Sequence, residues 1–337
     1  MYAVTSNPSA YGSAFMSAIQ RFSVPLITTV LLALSWASSG HVVCAQGAAV
    51  NSVQFSPDGT RLASANSANQ VIIWDALTGR RLMVFPALDA YIVFVAWSPD
   101  GSMLATASYD NVIRLWDAAS GALRTQLTGH TDVPFYAHFS PDGRHLATAA
   151  QGAEVIVWDV AAGTTRQSVL PPGDIATSAR FSPDGQALLT AGRGEQIHLW
   201  DWASQSKSAS LMVGGKTLTT ALFSRDGRQV AGGGSAGVIK IFEVANGDEL
   251  ESYDHGVYSN SFILTNEIVA SAGGDGTLRV WSRENGREKY TREAHRSIAF
   301  FVTASPDGKT LATVGQDTLI RLWDAASGVL LRTISGR

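Results

Sequence analysis

The sequence predicts an all-β fold: a seven-bladed β-propeller of four-stranded antiparallel blades, preceded by an N-terminal signal segment. Three observations lead there. Aromatic residues stand at Trp74, Trp116, Trp158, Trp200, Phe242, Trp281 and Trp323, spaced by 42 residues except for one interval of 39. A Ser-Pro-Asp-Gly turn keeps the same beat at Ser56–Gly59, Ser98–Gly101, Ser140–Gly143, Ser182–Gly185 and Ser305–Gly308, and reads Ser224-Arg225-Asp226-Gly227 in the fifth unit. Ahead of each aromatic, residues alternate with the period of a strand. Self-similarity at about this length marks solenoids, propellers or arrays.

The first 45 residues stand apart from the repeats. Arg21 is their only charged residue, and the apolar run Val24 to Ala37 follows it. One positive charge, a short apolar run and then small residues is the layout of a secretory signal. Cleavage is expected after Ala45, with Ala37 to Ser39 as a second option, and Met16 is a better start than Met1. The run is short of the roughly 20 residues that span hydrocarbon, which argues against a membrane anchor. Val43 is too bulky, one residue before Cys44, for a lipoprotein site. A secreted or periplasmic mature chain follows.

Residues 46–337 are the repeat domain: from residue 47 they divide into six units of 42 and one of 39, with nothing left for another domain. The second unit shows the plan. Ile92–Trp97 is the innermost strand a, and Pro99-Asp100-Gly101 is a turn in which proline fixes φ, aspartate bonds the backbone and glycine accepts positive φ. Met103–Ser108 is strand b, Val112–Trp116 strand c and Ala122–Leu127 strand d. In strand c the positions one and three before the aromatic are Val, Ile or Leu in all seven units, while Arg114, His198, Lys240, Arg279 or Arg321 lies between them in five. That is a β pattern, not a helical one. A lone four-stranded sheet cannot bury both faces, whereas a ring of seven covers every face and leaves only short edges.

Composition agrees. Charged residues are 16% and hydrophobic ones 45%, suiting strands buried on both sides. A net charge of −3 offers no basic field for nucleic acid. Cys44 is the single cysteine, so no intrachain disulfide contributes.

With Trp-Asp pairs at Trp74-Asp75, Trp116-Asp117, Trp158-Asp159, Trp200-Asp201 and Trp323-Asp324, the chain resembles the WD-repeat β-propeller family, in a secreted, bacterial-type form. Phe242-Glu243 and Trp281-Ser282 depart from the motif. The resemblance implies a structural relay within blades, from a histidine before strand a through a hydroxyl in strand b and an aspartate in the b–c turn to the tryptophan. Unit seven holds every member: His295, Thr313, Asp317 and Trp323. Unit six offers His255, Ser271, Asp275 and Trp281. Unit two has Thr106, Asp110 and Trp116 without the histidine, and unit three has His130, Thr148 and Trp158 without the aspartate. Elsewhere the relay is expected to be mostly absent. The family often closes its ring with an N-terminal strand in the last blade. Here Val329–Ile334 already supplies strand d of unit seven, so closure rests on packing between the first and last blades unless His41–Gln46 adds an edge strand.

Catalytic signatures are sparse. Gly232, Gly234 and Gly237 spell G-x-G-x-x-G, but phosphate cradling needs a helix after the motif and here a strand follows. No two histidines have metal-ligand spacing, and the many Asp-Gly pairs lack the carboxylate density of a calcium loop. No Gly-x-Ser-x-Gly elbow is present. His138, on strand a near the axis, is the one histidine kept as a functional candidate. No cofactor and no metal are expected.

Aromatics cluster on the innermost strands and the loops before them: Tyr91, Phe94, Phe135, Tyr136, Tyr258, Phe300 and Phe301. They read either as packing between blades or as an aromatic rim on the face that carries the d–a and b–c loops, where the family usually takes its partners. Aromatic anchors favour binding hot spots. Tyr109, Arg193 and Gln316 in b–c turns, with Asp174 and Arg296 in d–a loops, would supply the polar edge. The expected function is therefore a monomeric, non-enzymatic scaffold binding a protein or peptide outside the cytoplasm. The alternatives are a secreted hydrolase or lactonase with a channel metal, for which His138 and Arg180 are the polar strand-a exceptions, and a cell-wall glycan binder.

Overall fold

A computed structural model describes residues 49–336 except 87, 153 and 170–174. The signal segment 1–45, the Met16 start, His41–Gln46 and Asp174 lie outside the described residues.

Seven four-stranded sheets form, each in strand order a-b-c-d, with every neighbouring pair antiparallel. Blade two follows the sequence reading closely: Ile92–Trp97, Met103–Ser108, Ile113–Asp117 and Leu123–Leu127. The other innermost strands are Val50–Phe55, Pro134–Phe139, Ala176–Phe181, Leu218–Phe223, Ser259–Leu264 and Ala299–Ala304. Blade seven is completed from the C-terminal side by Leu330–Ser335.

The Ser-Pro-Asp-Gly turn works as a small hydrogen-bonded unit. Ser56 Oγ donates to Asp58 Oδ1 (2.5 Å), the Thr60 amide donates to the same oxygen (3.0 Å), and the Arg61 amide donates to Ser56 Oγ (3.0 Å). Gly59 takes φ 72°, a left-handed conformation that costs glycine nothing. The same serine–aspartate bond recurs at Ser98, Ser140, Ser182, Ser224 and Ser305. Arginine therefore replaces proline at position 225 without loss of the turn. Blade six, whose a–b turn is two residues shorter, substitutes Thr265, whose Oγ1 accepts from the amides of Glu267 (3.2 Å) and Ile268 (3.0 Å).

The core lies between blades. Where strand c alternates, its Val, Ile and Leu positions are buried, and the intervening arginines are half-exposed. Ile72 and Ile156, which break the alternation, are buried as well, at 0% and 2% exposure. Each buried aliphatic side chain of this kind contributes about 1.5–3 kcal/mol. Ring closure uses the same means: Val50, Val53 and Leu62 of blade one pack on Ala312, Val314, Ile320 and Ile334 of blade seven. Asn66 Nδ2 also donates to the Gly336 carbonyl at 3.2 Å.

Every strand a carries a β-bulge just after its first residue, as at Ile92/Phe94 and Ser259/Ser261. A bulge leaves one residue unpaired and re-aims its side chain. In four blades that side chain clasps the next blade by donating to the carbonyl at the head of its strand a. Asn51 reaches Ile92 (2.8 Å), Thr177 reaches Leu218 (2.6 Å), Thr219 reaches Ser259 (2.9 Å) and Asn260 reaches Ala299 (2.8 Å). Val93, Phe135 and Phe300 fill the other bulges with apolar groups.

Candidate functional site

The d–a and b–c loops meet on one face, called upper here, and backbone hydrogen bonds tie them together in every blade. The amides of Ser67, Tyr109, Gln151, Arg193, Ser235, Gly274 and Gln316 donate to the carbonyls of Ala49, Tyr91, Val133, Ile175, Thr217, Tyr258 and Ile298 at 2.8–3.1 Å. Sequence reasoning placed Tyr109, Arg193 and Gln316 in these turns, and the structure gives each the same backbone role. Tyr91 and Tyr109 stack edge to face with centroids 5.3 Å apart, and Tyr91 Oη donates to Asn51 Oδ1 at 2.8 Å. Burial pushes both phenols up to about 12, Tyr91 with help from its neighbour Tyr109. Tyr258 holds the place equivalent to Tyr91 but lies across Gly274, where a Cβ would collide with its ring. Arg296 is exposed, and Gln316 and Arg193 are half-buried.

Phe94, Tyr136 and Phe301 share one register position on the innermost strands of blades two, three and seven. Blade one has Ser52 there, and the gap lets rings meet across it: Phe94 lies 5.6 Å from Phe301 and 4.5 Å from Tyr136. Phe94 and Tyr136 are only 4% and 6% exposed, so these rings pack inside the axial channel. Phe135, on the bulge, remains half-exposed at the upper end.

Two residues further along strand a, His138 and Arg180 occupy the next inward position. His138 Nδ1 accepts the amide of Phe181 at 3.3 Å, which ties blade three to blade four. Burial, with the Arg180 charge adding to it, pushes the imidazole down to about 3, so it stays neutral. The Arg180 guanidinium lies 5.1 Å above the Tyr136 ring centre, a cation–π contact. Among the described residues no three His, Cys, Asp or Glu side chains gather as a metal would require.

The relay residues of blade seven come together as the resemblance implies. His295 Nδ1 faces Asp317 Oδ1 at 2.7 Å, its Nε2 faces Thr313 Oγ1 at 3.1 Å, and Trp323 Nε1 donates to Thr313 at 2.9 Å. Arg321 Nη1 donates to the other oxygen of Asp317, Oδ2, at 2.7 Å. In blade six the imidazole is turned around: His255 Nδ1 bonds Ser271, and Nε2 faces Thr277 (3.1 Å) and Asp275 (3.4 Å). Blade three bonds His130 Nε2 to Thr148 Oγ1 at 2.6 Å, while Nδ1 is buried without a partner and Glu154 stands 4.0 Å away. The indole-to-hydroxyl half of the relay is more widespread than the sequence suggested, since Trp74 donates to Ser64 and Trp200 to Thr190.

Gly232, Gly234 and Gly237 serve packing. A Cβ on Gly232 would press on Val213 and Ile197 (2.7 and 2.8 Å), and Gly237 takes φ 77° against Val257. On the lower face, two grooves escaped the sequence reading. One of ≈550 Å³ is walled by Trp200, Trp202 and His145 with Asp142, Asp184 and Asp201. Its neighbour of ≈740 Å³ carries Arg124, Arg144 and Arg166. The signal was Trp202, a bulky residue where other units have Ala76, Ala118 or Ala325.

Seven four-stranded blades joined in sequence define a β-propeller. A family model described as the IFT122 first beta-propeller matches residues 91–337, and one described as WD domain, G-beta repeat, matches residues 32–75. The chain belongs to the WD40-repeat β-propeller family, with an IFT122-type propeller domain. It is similar to Coronin-7 of Rattus norvegicus, 35% identical over 82 residues, which cover 24% of this chain and 9% of that protein. It is also similar to the transcriptional corepressor LEUNIG_HOMOLOG of Arabidopsis thaliana, 39% identical over 77 residues, covering 23% and 10%. The small ribosomal subunit protein RACK1 of Drosophila melanogaster is 36% identical over 70 residues, covering 21% and 22%. The chain thus matches between 9% and 22% of the length of these relatives. A chain in the crystal structure of the mitotic checkpoint complex superposes with a TM-score of 0.76 at 20% identity, covering 82% of this chain and 86% of that one.

Proposed function

We propose that the protein is a non-enzymatic scaffold that holds a protein or peptide on its upper face, outside the cytoplasm. The observation that carries this is the set of backbone hydrogen bonds joining the d–a and b–c loops in every blade. Loops fixed in this way lose little freedom on binding, so more of each contact appears as affinity. Tyr258 and Arg296 supply half-exposed aromatic and exposed cationic groups of the kind that anchor interfaces. The extracytoplasmic location is supported by Arg21 and the apolar run Val24 to Ala37. The test is crosslinking in the native envelope, comparing wild type with Tyr258→Ala/Arg296→Glu. Loss of specific adducts in the variant supports the upper face, and an unchanged adduct set removes it.

A further inference from the structure

We propose that the axial channel below its aromatic plug is a binding site for a single carboxylate, with Arg180 as the recognition residue. The inference deepens the binding reading above by naming the chemistry of the group that would enter the ring.

The argument begins with charge. Of all the residues on the seven innermost strands, Arg180 alone carries a formal charge at neutral pH. The positions equivalent to it around the ring are Gln54, Ala96, His138, Leu222, Ile263 and Thr303, none of them acidic. Gln54 is further engaged by Thr303, whose Oγ1 donates to its Oε1 at 3.4 Å.

Partners come next. Arg180 Nε is buried and bonds nothing, and no Asp or Glu among the described residues lies within ion-pair distance of the side chain. Arg279, which also has a buried unbonded Nε, differs because Asp275 stands 3.8 Å from its Nη2. Arg180 has, among the described residues, the face of Tyr136. The residue is part-buried, but its Nε is shut off from water without an acceptor, and a buried donor left unpaired is a place for one to enter. The neutral His138 beside it does not repel an anion.

Shape narrows the ligand. A guanidinium edge matches a carboxylate through two parallel hydrogen bonds. With one cation and no lysine in the ring, the site suits one negative charge rather than the two of a phosphate. The touching rings of Phe94, Tyr136 and Phe301 stand one register step nearer the upper face than Arg180, so the proposed entry is from the lower face, which carries the Ser-Pro-Asp-Gly turns.

The experiment is an NMR titration of the intact protein, following the Arg180 Nε–Hε resonance and the Tyr136 ring. The probes are N-acetylglycine (a free α-carboxylate), N-acetylaspartate with both its termini blocked (a side-chain carboxylate) and neutral N-acetylglycinamide. A saturable shift with either acid and none with the amide is expected, and the stronger acid identifies the source. Arg180→Lys should weaken that acid by roughly 10- to 100-fold, the cost of losing a charged, bidentate hydrogen bond. Equal responses to acid and amide, or none to any probe, overturn the site. Carboxylate saturation without captured partners would remove the upper-face reading and keep the channel site. Captured partners without a carboxylate shift would do the reverse.

Discussion

Arg283 and Glu251 join blade six to blade five through a two-pronged ion pair, Nε to Oε2 at 3.2 Å and Nη2 to Oε1 at 2.5 Å. Arg283 also donates to the Thr265 carbonyl (3.0 Å) and to Gln229 Oε1 (2.7 Å). It thereby braces the one a–b turn that is two residues shorter than the rest. Burial pushes the Glu251 carboxyl up, but Arg283 and Tyr253 outweigh it and hold the group below its ordinary value.

A double-mutant cycle with Arg283→Met and Glu251→Gln should give a coupling energy of about 1–2 kcal/mol, since both side chains are largely shielded from water. Urea midpoints of the four proteins measure it. A coupling near zero would show that the shortened turn stands unaided.

Thr148 serves two partners at once, accepting from Trp158 Nε1 at 2.7 Å and bonding His130 Nε2 at 2.6 Å. Thr148→Val keeps the volume and orphans both, for an expected loss of ~2–4 kcal/mol in chemical denaturation. Ser64→Ala orphans only the Trp74 indole and should cost about 1–2 kcal/mol.

His130 makes blade three acid-sensitive. Burial lowers its imidazole to about 4 from an ordinary 6.5, so between those values the unfolded chain binds the proton that the folded one refuses. Stability therefore rises with pH through this window and is lost on acidification. From pH 7 to 4.5 the loss should be roughly 2–3 kcal/mol. Denaturation at both pH values, in wild type and His130→Gln, should show this slope in the wild type and a flatter one in the variant.

Gly276 and Gly286 separate collision from strain. Both have positive φ, 81° and 69°, but a Cβ on Gly276 would run into the carbonyls of Ser297 and His295, whereas the space at Gly286 is open. Gly286→Ala should cost ~1 kcal/mol for the left-handed backbone alone. Gly276→Ala should cost about 3 kcal/mol or more, read from thermal and urea unfolding. Equal losses would contradict the packing of the blade-six turn against the loop before blade seven.

Much of the fold was legible because it is local. Trp116, Ser98 and Gly101 announce a strand end and a turn wherever they stand, and repetition multiplies the signal. The site was less legible. Tyr109, Arg193 and Gln316 could be placed in b–c turns, but not the backbone bonds they share with the loops opposite. Glu154 was missed beside His130 because it stands two residues beyond the relay's usual aspartate place. The clasps of Asn51, Thr177, Thr219 and Asn260 were hidden because a bulge changes which way a side chain points, and alternation alone does not reveal bulges.

The order of residues by itself determined seven strand quartets, their turns and the hydroxyls that meet each indole in blades two, three and seven. Those depend on separations of a few residues, which the chain states directly. Only the closed ring decided that Phe94 would touch Phe301 across Ser52, and that Arg180 would lie over Tyr136 with no carboxylate among the described residues to answer it. Such meetings are set by which blades face one another around an axis, a distance through space that no spacing along the chain encodes.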